Sequence, residues 1–376
     1  MSKLATWLGG HDEVRDGKQP VGRHRVAWVL LLSLFLLVGV EVVAQIRSHL
    51  LTGNSILKSI SGRSDYVIDA ATGLRLLRPN ATTQGARQTI RSNSLGLRSD
   101  ELAAVKSHDE TRIVVIGASN VMGADASDND RTLPARLERG LRAQRPSAKV
   151  HVINAGIAGY GLGEQRRMFE YVAAKLAPDL AFAYVGTNNF AAYCRAAASV
   201  SPASPHRLPQ WQLPRWLMSV DLLLKNTVVL RPASRVGTHH VDAKSVDISH
   251  YREQLVALVQ AAQERRIAIA LSTNARSYRP EQPAAVQERL ATTARYYNPC
   301  FDVAGLHVLH ARHNELIRQV GAEFGVPVVP IDSLVPGGSD YFVDSSHFNE
   351  RGMQLVAKHY AEFLNQTPFL QAGARP

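Results

Sequence analysis

Four short stretches of this chain carry the side chains that acyl transfer requires, and they lie far apart in sequence. Gly117-Ala118-Ser119-Asn120 offers a hydroxyl, and Asn154-Ala155-Gly156-Ile157-Ala158-Gly159 a glycine-rich backbone. Gly186-Thr187-Asn188-Asn189 offers a side-chain amide, and Asp344-Ser345-Ser346-His347 a carboxylate and an imidazole three residues apart. A serine hydroxyl attacks poorly until an imidazole takes its proton. The imidazole in turn needs a carboxylate on its other nitrogen to fix its tautomer and stabilise its cation. Ser119, His347 and Asp344 have the types for those three roles. The oxyanion formed on attack needs preorganised donors, and the candidates are the backbone N–H groups of Ser119 and Gly159 and the amide of Asn188. Glycine there lets the backbone come close to a ligand. A Gly-x-Ser turn alone is commonplace, so the expectation rests on the four stretches together.

Such stretches do chemistry only if the fold brings them to one place. Short apolar runs at residues 112–117, 150–154, 179–186, 267–272 and 326–331 read as buried strands. Amphipathic patterns at 133–143, 164–176, 251–264, 306–324 and 352–364 read as the helices between and after them. The alternation predicts an α/β protein, a three-layer α/β/α sandwich around a five-stranded parallel sheet. In such sheets ligands bind beyond the carboxyl ends of the strands. Three of the four stretches follow directly on the first three strands, and Asp344 with His347 follows the last. The stretch 191–247, rich in proline and carrying Trp211, Trp216, Leu217 and Leu222-Leu223-Leu224, breaks the rhythm and reads as an insertion. It serves either as ordinary packing or as a lid facing membrane or substrate.

These blocks, in this order and spacing, resemble the SGNH/GDSL hydrolase superfamily over residues 111–364. Ser119 matches its serine block, Gly159 its glycine block, Asn188 its Gly-x-Asn block, and Asp344 with His347 its Asp-x-x-His block. Phe348-Asn349-Glu350-Arg351-Gly352 is similar to the continuation of the last block. Within the glycine block, Gly159 rather than Gly156 corresponds to the family's donor. One departure is plain: Ala118 stands where the family usually has aspartate, a residue outside its triad. The resemblance implies a flavodoxin-like SGNH fold and serine esterase or O-acetyltransferase activity without metal or cofactor. The apolar N-terminal segment and Asn93-Ser94-Leu95-Gly96-Leu97-Arg98 further resemble anchored members associated with cell-surface polysaccharide assembly.

The run Val26–Val40 contains no charge and, after Glu41, resumes as Val42-Val43-Ala44, about the length of a bilayer-spanning helix. Lys18, Arg23 and Arg25 precede it and only Arg47 closely follows, which predicts a cytoplasmic N-terminus and an extracytoplasmic, periplasmic remainder. The organisation expected is a tail over 1–25, a transmembrane anchor over 26–45, a stalk with a small β element over 46–110, the catalytic domain over 111–366 and a tail over 367–376. A signal peptide cleaved near Val42-Val43-Ala44 is the rival reading of the apolar run. Cys194 and Cys300 are placed equally well to form a disulfide or to remain thiols.

A net charge of +11 suits an anionic partner, but no long basic run or recognition-motif spacing points to nucleic acid. His307, His310 and His313 fan around a helix without companion carboxylates and read as surface or packing residues rather than metal ligands. His239 and His240 suggest no role, and the Asn80-Ala81-Thr82 sequon implies none by itself. The substrate expected is an acylated carbohydrate or polysaccharide, and the membrane is the partner of the N-terminal helix. The alternatives are a lipase or thioesterase on lipid esters, and a catalytically silent polysaccharide-binding or assembly protein.

Overall fold

The computed structural model describes residues 23–53, 64–200, 217–220, 222–223 and 241–367. Trp211, Trp216, Leu224, His239, His240, Lys18 and residues 368–376 lie outside the described residues. The chain begins with α1 (Arg23–Thr52), then two antiparallel pairs, β1 (Tyr66–Ile68) with β2 (Arg75–Leu77) and β3 (Thr82–Gln84) with β4 (Thr89–Arg91). A five-stranded parallel sheet follows, made of β5 (Glu110–Gly117), β6 (Lys149–Gly156), β7 (Leu180–Tyr184), β8 (Ala268–Ser272) and β9 (Val328–Val329). Its order is β6-β5-β7-β8-β9, so consecutive connections leave β5 toward opposite edges.

β5 shows why the sheet is covered on both faces. Ile113, Val114, Val115 and Ile116 are all fully buried, and alternate residues enter different cores because successive side chains of a strand point to opposite faces. Val114 and Ile116 pack with α4 (Leu162–Tyr171), α6 (Ser249–Glu264) and α9 (Val303–Glu323). Ile113 and Val115 pack with α3 (Leu133–Gln144) and α11 (Glu350–Gln366). Each such side chain contributes about 1.5–3 kcal/mol relative to exposure. α3 illustrates how the helices form: Thr132 Oγ1 accepts from the Ala135 N–H at 3.4 Å, Pro134 sits in the first turn, and Leu133, Leu137 and Leu141 make one buried stripe.

The expected helix over 164–176 divides into α4 and a 3-10 turn, Ala173–Leu176. The expected last strand over 326–331 shortens to Val328–Val329, because Pro327 and Pro330 have no N–H to give the ladder. The segment expected as a stalk sends Leu74, Leu76, Leu77 and Leu97 into the same core as Val114. A smaller core holds Phe190 from α5 (Phe190–Val200) with Tyr278 and Leu306, and beside it Cys194 and Cys300 are joined in a disulfide with Cα atoms 5.5 Å apart. That bridge closes 106 residues across the insertion.

Candidate active site

The carboxyl end of β5 runs into a one-turn helix, α2 (Ser119–Met122), which puts Ser119 at its first position. The turn is tight enough to exclude larger residues: a Cβ on Gly117 would lie 2.3 Å from Val121 Cγ2, and one on Gly156 would lie 2.3 Å from the Met122 nitrogen. Ser119 Oγ lies 2.8 Å from His347 Nε2, and His347 Nδ1 lies 2.8 Å from Asp344 Oδ2. In the tautomer this geometry requires, the serine hydroxyl donates to Nε2 and Nδ1–H donates to the carboxylate. Asp344 Oδ1 accepts from the backbone N–H groups of Ser346 at 2.9 Å and His347 at 2.8 Å, so the acidic loop is folded around its own carboxylate.

Burial opposes the charge on both members of the pair. Asp344 is nevertheless held below the usual aspartate range by the hydrogen bond and charge of His347 and by those two backbone donors. His347 is raised above an ordinary imidazole, because the hydrogen bond and charge of Asp344, with the charge of Asp125, outweigh its desolvation.

The glycine and asparagine stretches meet beside this line. Asn188 Nδ2 donates to the Tyr160 carbonyl at 2.9 Å, which ties the β7 loop to the residue after Gly159. Asn189 Oδ1 accepts from the Leu162 N–H at 2.9 Å, a second tie between the same loops. The two glycines of the block separate by exposure and engagement. Gly156 is buried and its N–H already donates to Asn154 Oδ1 at 3.0 Å, whereas Gly159 is exposed with φ at +83°, a conformation suited to glycine. Of the pair, Gly159 therefore has the backbone that a ligand can reach. Ser119, Asn188 and His347 line a cleft of about 20 Å³ with Asn120, Tyr184, Gly186, Thr187, Asn274, Ala275 and Ser346. Gly159 stands outside that lining, joined to it through Tyr160 and Asn188.

Two side chains that the spacing of the blocks does not single out also hold the site together. Asn120 Nδ2 donates to the Ser346 carbonyl at 2.9 Å and its Oδ1 accepts from the Phe348 N–H at 2.8 Å, a two-bond staple between the serine turn and the Asp-His loop. Its place next to Ser119 is the one signal the sequence offered. Asn274, just after β8, accepts the Gly186 N–H on Oδ1 at 2.9 Å and so fixes the turn before Asn188. Among the histidines read as packing or surface residues, His310 and His313 are 3% and 1% exposed and lie against Phe190 and Tyr278 or Tyr251. No group of three or more metal-binding side chains occurs among the described residues.

A sequence model of the GDSL-like lipase/acylhydrolase family matches residues 115–355. No curated protein matches the sequence. Among solved structures, the chain is similar to a putative GDSL-like lipase from Parabacteroides merdae, at 14% identity and a TM-score of 0.44, covering 68% of this chain and 96% of that one. It is also similar to a mutant of an acetyl-xylooligosaccharide esterase from Geobacillus, at 15% identity and 0.41, covering 69% and 95%. A psychrotrophic esterase from Pseudoalteromonas matches at 13% identity and 0.40, covering 68% and 97%.

Proposed function

From the premise that the chain belongs to the GDSL-like lipase/acylhydrolase family, we propose that it is a serine-dependent acyl-ester enzyme acting outside the cytoplasm on short O-acyl groups of a carbohydrate or cell-surface polysaccharide. The observation that carries this reading is the unbroken line from Ser119 Oγ through both nitrogens of His347 to Asp344, with 2.8 Å at each step.

In the proposed reaction, Ser119 Oγ attacks the ester carbonyl carbon while its proton passes to His347 Nε2. The oxyanion is received by the N–H groups of Ser119 and Gly159 and by Asn188 Nδ2. Collapse of the tetrahedral adduct breaks the bond to the alcohol oxygen, which leaves with the proton held on His347. The acyl group, now an ester of Ser119, is then attacked by water or by a sugar hydroxyl, and His347 again accepts the proton before returning it to Ser119. Hydrolysis and transfer use the same residues and differ in which hydroxyl arrives second.

The cleft beside Ser119 is narrow and bounded by Tyr184 and Asn274, which favours a small acyl group such as acetyl over a long chain. Its polar lining, including Asn120, Thr187, Asn188 and Ser346, suits a hydroxylated partner. The export reading draws on the basic residues before the apolar run and on the Cys194–Cys300 disulfide, which persists in oxidising compartments. The anchor reading draws on α1, whose His24–Leu51 span contains an 18-residue stretch of mean hydropathy 2.6, and on the hydrogen bonds it makes with later parts of the chain. Glu41 accepts from the N–H groups of Met218 and Ser219, each at 3.0 Å, and the Leu50 and Leu51 carbonyls accept from Ala86 and Arg87 at 2.6 and 2.8 Å.

The test is a comparison of esters with the full-length enzyme in detergent. We expect acetate release from O-acetylated oligosaccharides and short nitrophenyl esters, little turnover of esters beyond about eight acyl carbons, and loss of all activity in Ser119→Ala. A preference for long chains, or activity retained by Ser119→Ala, would overturn the proposal.

A further inference from the structure

Arg98 is one of the largest fully buried side chains in the molecule, 1% exposed, and no carboxylate lies within ion-pair distance of it among the described residues. A cation in that position is costly unless its donors are met by other acceptors. They are met almost entirely by main-chain carbonyls. Nη1 donates to the carbonyls of Gly123 at 2.5 Å and Met122 at 3.4 Å, and Nη2 to those of Thr89 at 2.9 Å and Ala126 at 3.3 Å. Nε donates to Asn129 Oδ1 at 3.0 Å. Burial lowers the guanidinium to a pKa of about 10, so it stays charged at neutral pH.

The carbonyls of Met122 and Gly123 belong to the carboxyl end of α2, the turn whose first residue is Ser119. Gly123 caps it in the left-handed conformation, φ +77°, and the N–H groups of Gly123 and Ala124 both donate to the Ser119 carbonyl at 2.9 Å. A helix of one turn has almost no stability of its own and exposes outward-facing carbonyls at its end. A cation seated on them compensates the negative end of the peptide dipoles.

The turn that delivers Arg98 is equally defined. Asn93 Oδ1 accepts from the N–H groups of Leu95 and Leu97 at 3.1 and 3.0 Å. Gly96 has φ at +71°, and a Cβ there would lie 2.3 Å from the Leu77 carbonyl oxygen. Leu97 is anchored in the core with 0% exposure.

We infer that Arg98 is a positioning residue for the nucleophile: supplied by the segment before the sheet, it clamps the far end of the one-turn helix and thereby fixes Ser119 Oγ within reach of His347. This rests on the reading of Ser119 as nucleophile. Without the clamp, the far end of the turn keeps only Gly123 and the 3.4 Å bond from Asn154 Nδ2 to the Met122 carbonyl, so the Asn120 staple at the serine end is left to set the position of Ser119 Oγ alone. Misplacement of a reacting group by about 1 Å costs on the order of a hundredfold in rate.

The experiment compares wild type, Arg98→Met and Arg98→Lys in full-length protein, reading thermal unfolding, the rate of fluorophosphonate labelling, and kcat and KM on a short nitrophenyl ester. In folded Arg98→Met, labelling and kcat should fall by about a hundredfold with KM changed less than about threefold. Arg98→Lys, whose ammonium keeps the charge but reaches fewer carbonyls, should recover about tenfold of that loss. Folded Arg98→Met with wild-type kcat overturns the inference, as does a loss that tracks only the unfolded fraction. Should Arg98→Met not fold, Arg98→Lys decides: kcat lowered about tenfold at unchanged KM supports the clamp, and wild-type kcat refutes it. Wild type that fails to label refutes the nucleophile reading and this inference with it, whereas labelled wild type with an unaffected Arg98 variant refutes this inference alone.

Discussion

In the proposed reaction His347 has to be neutral to take a proton from Ser119, yet its surroundings favour the cation. Desolvation lowers its pKa, but the hydrogen bond and charge of Asp344 and the charge of Asp125 raise it further, above an ordinary imidazole. The folded-state pKa is thus raised, and the imidazolium contributes its stability in full below about 6.5, the unfolded value, and loses it as pH rises through the folded value. Asp344 is lowered, so its contribution is present above its unfolded value of about 3.9 and is lost as pH falls through the folded one. The pair therefore stabilises the fold most between about pH 4 and 6.5, while catalysis sets in above that window. kcat/KM measured against pH should rise through a midpoint above 6.5 and level off on the alkaline side. In Asp344→Asn the midpoint should fall and kcat drop by about four orders of magnitude, since the imidazole loses its fixed tautomer. A wild-type midpoint below that of ordinary imidazole contradicts this account of His347. At this scale Ser119, Gly159, Asn188, Asp344 and His347 could be read as residue types in sequence. Asn120 and Arg98 could not, because their roles lie in which carbonyls and loops they face 226 and 25 positions further along the chain.

The elements were legible where one force decides them. Continuous apolar runs marked the five strands, since a parallel sheet buries both faces, and spaced leucines such as Leu133, Leu137 and Leu141 marked the helices. The last strand was overread because two prolines sit in an apolar run, where hydrophobicity and hydrogen-bonding capacity disagree. α1 is a different case. Its apolarity was plain, but the purpose of Glu41 was not, because its partners, Met218 and Ser219, come 177 and 178 residues later. Glu41 Oε2 also accepts from Ser219 Oγ at 2.6 Å and Oε1 from Gln45 Nε2 at 2.6 Å, so the carboxylate is fully engaged. A leader cleaved after Ala44 would take Glu41 away and leave those donors without an acceptor. Protein extracted from membranes should therefore have an intact mass that includes residues 23–52, and mass spectrometry checks this directly. A mature chain beginning after Ala44 contradicts it.

Across the whole molecule, the site stands where the topology places it. The connections from β5 to β6 and from β6 to β7 leave and return on opposite sides of β5, so the loops beyond β5, β6 and β7 surround one crevice at the point of reversal. Ser119 sits at the end of the central strand, the glycine block at the end of one neighbour and Asn188 beyond the other. This convergence followed from strand order, which block spacing anticipated only through the rule that ligands bind at strand ends. The segment before the sheet was the least legible part, since its strands are only three residues each, too short to show a period, and only three-dimensional packing reveals that Leu74, Leu76, Leu77 and Leu97 complete the main core. The central claim, that this architecture activates Ser119 as a nucleophile, is tested most directly by treating the full-length protein with a fluorophosphonate and mapping the adduct by peptide mass spectrometry. The account predicts a single adduct on Ser119, formed by wild type and absent from Ser119→Ala. A folded wild-type protein that takes up no probe, or an equal adduct in the alanine variant, would contradict it.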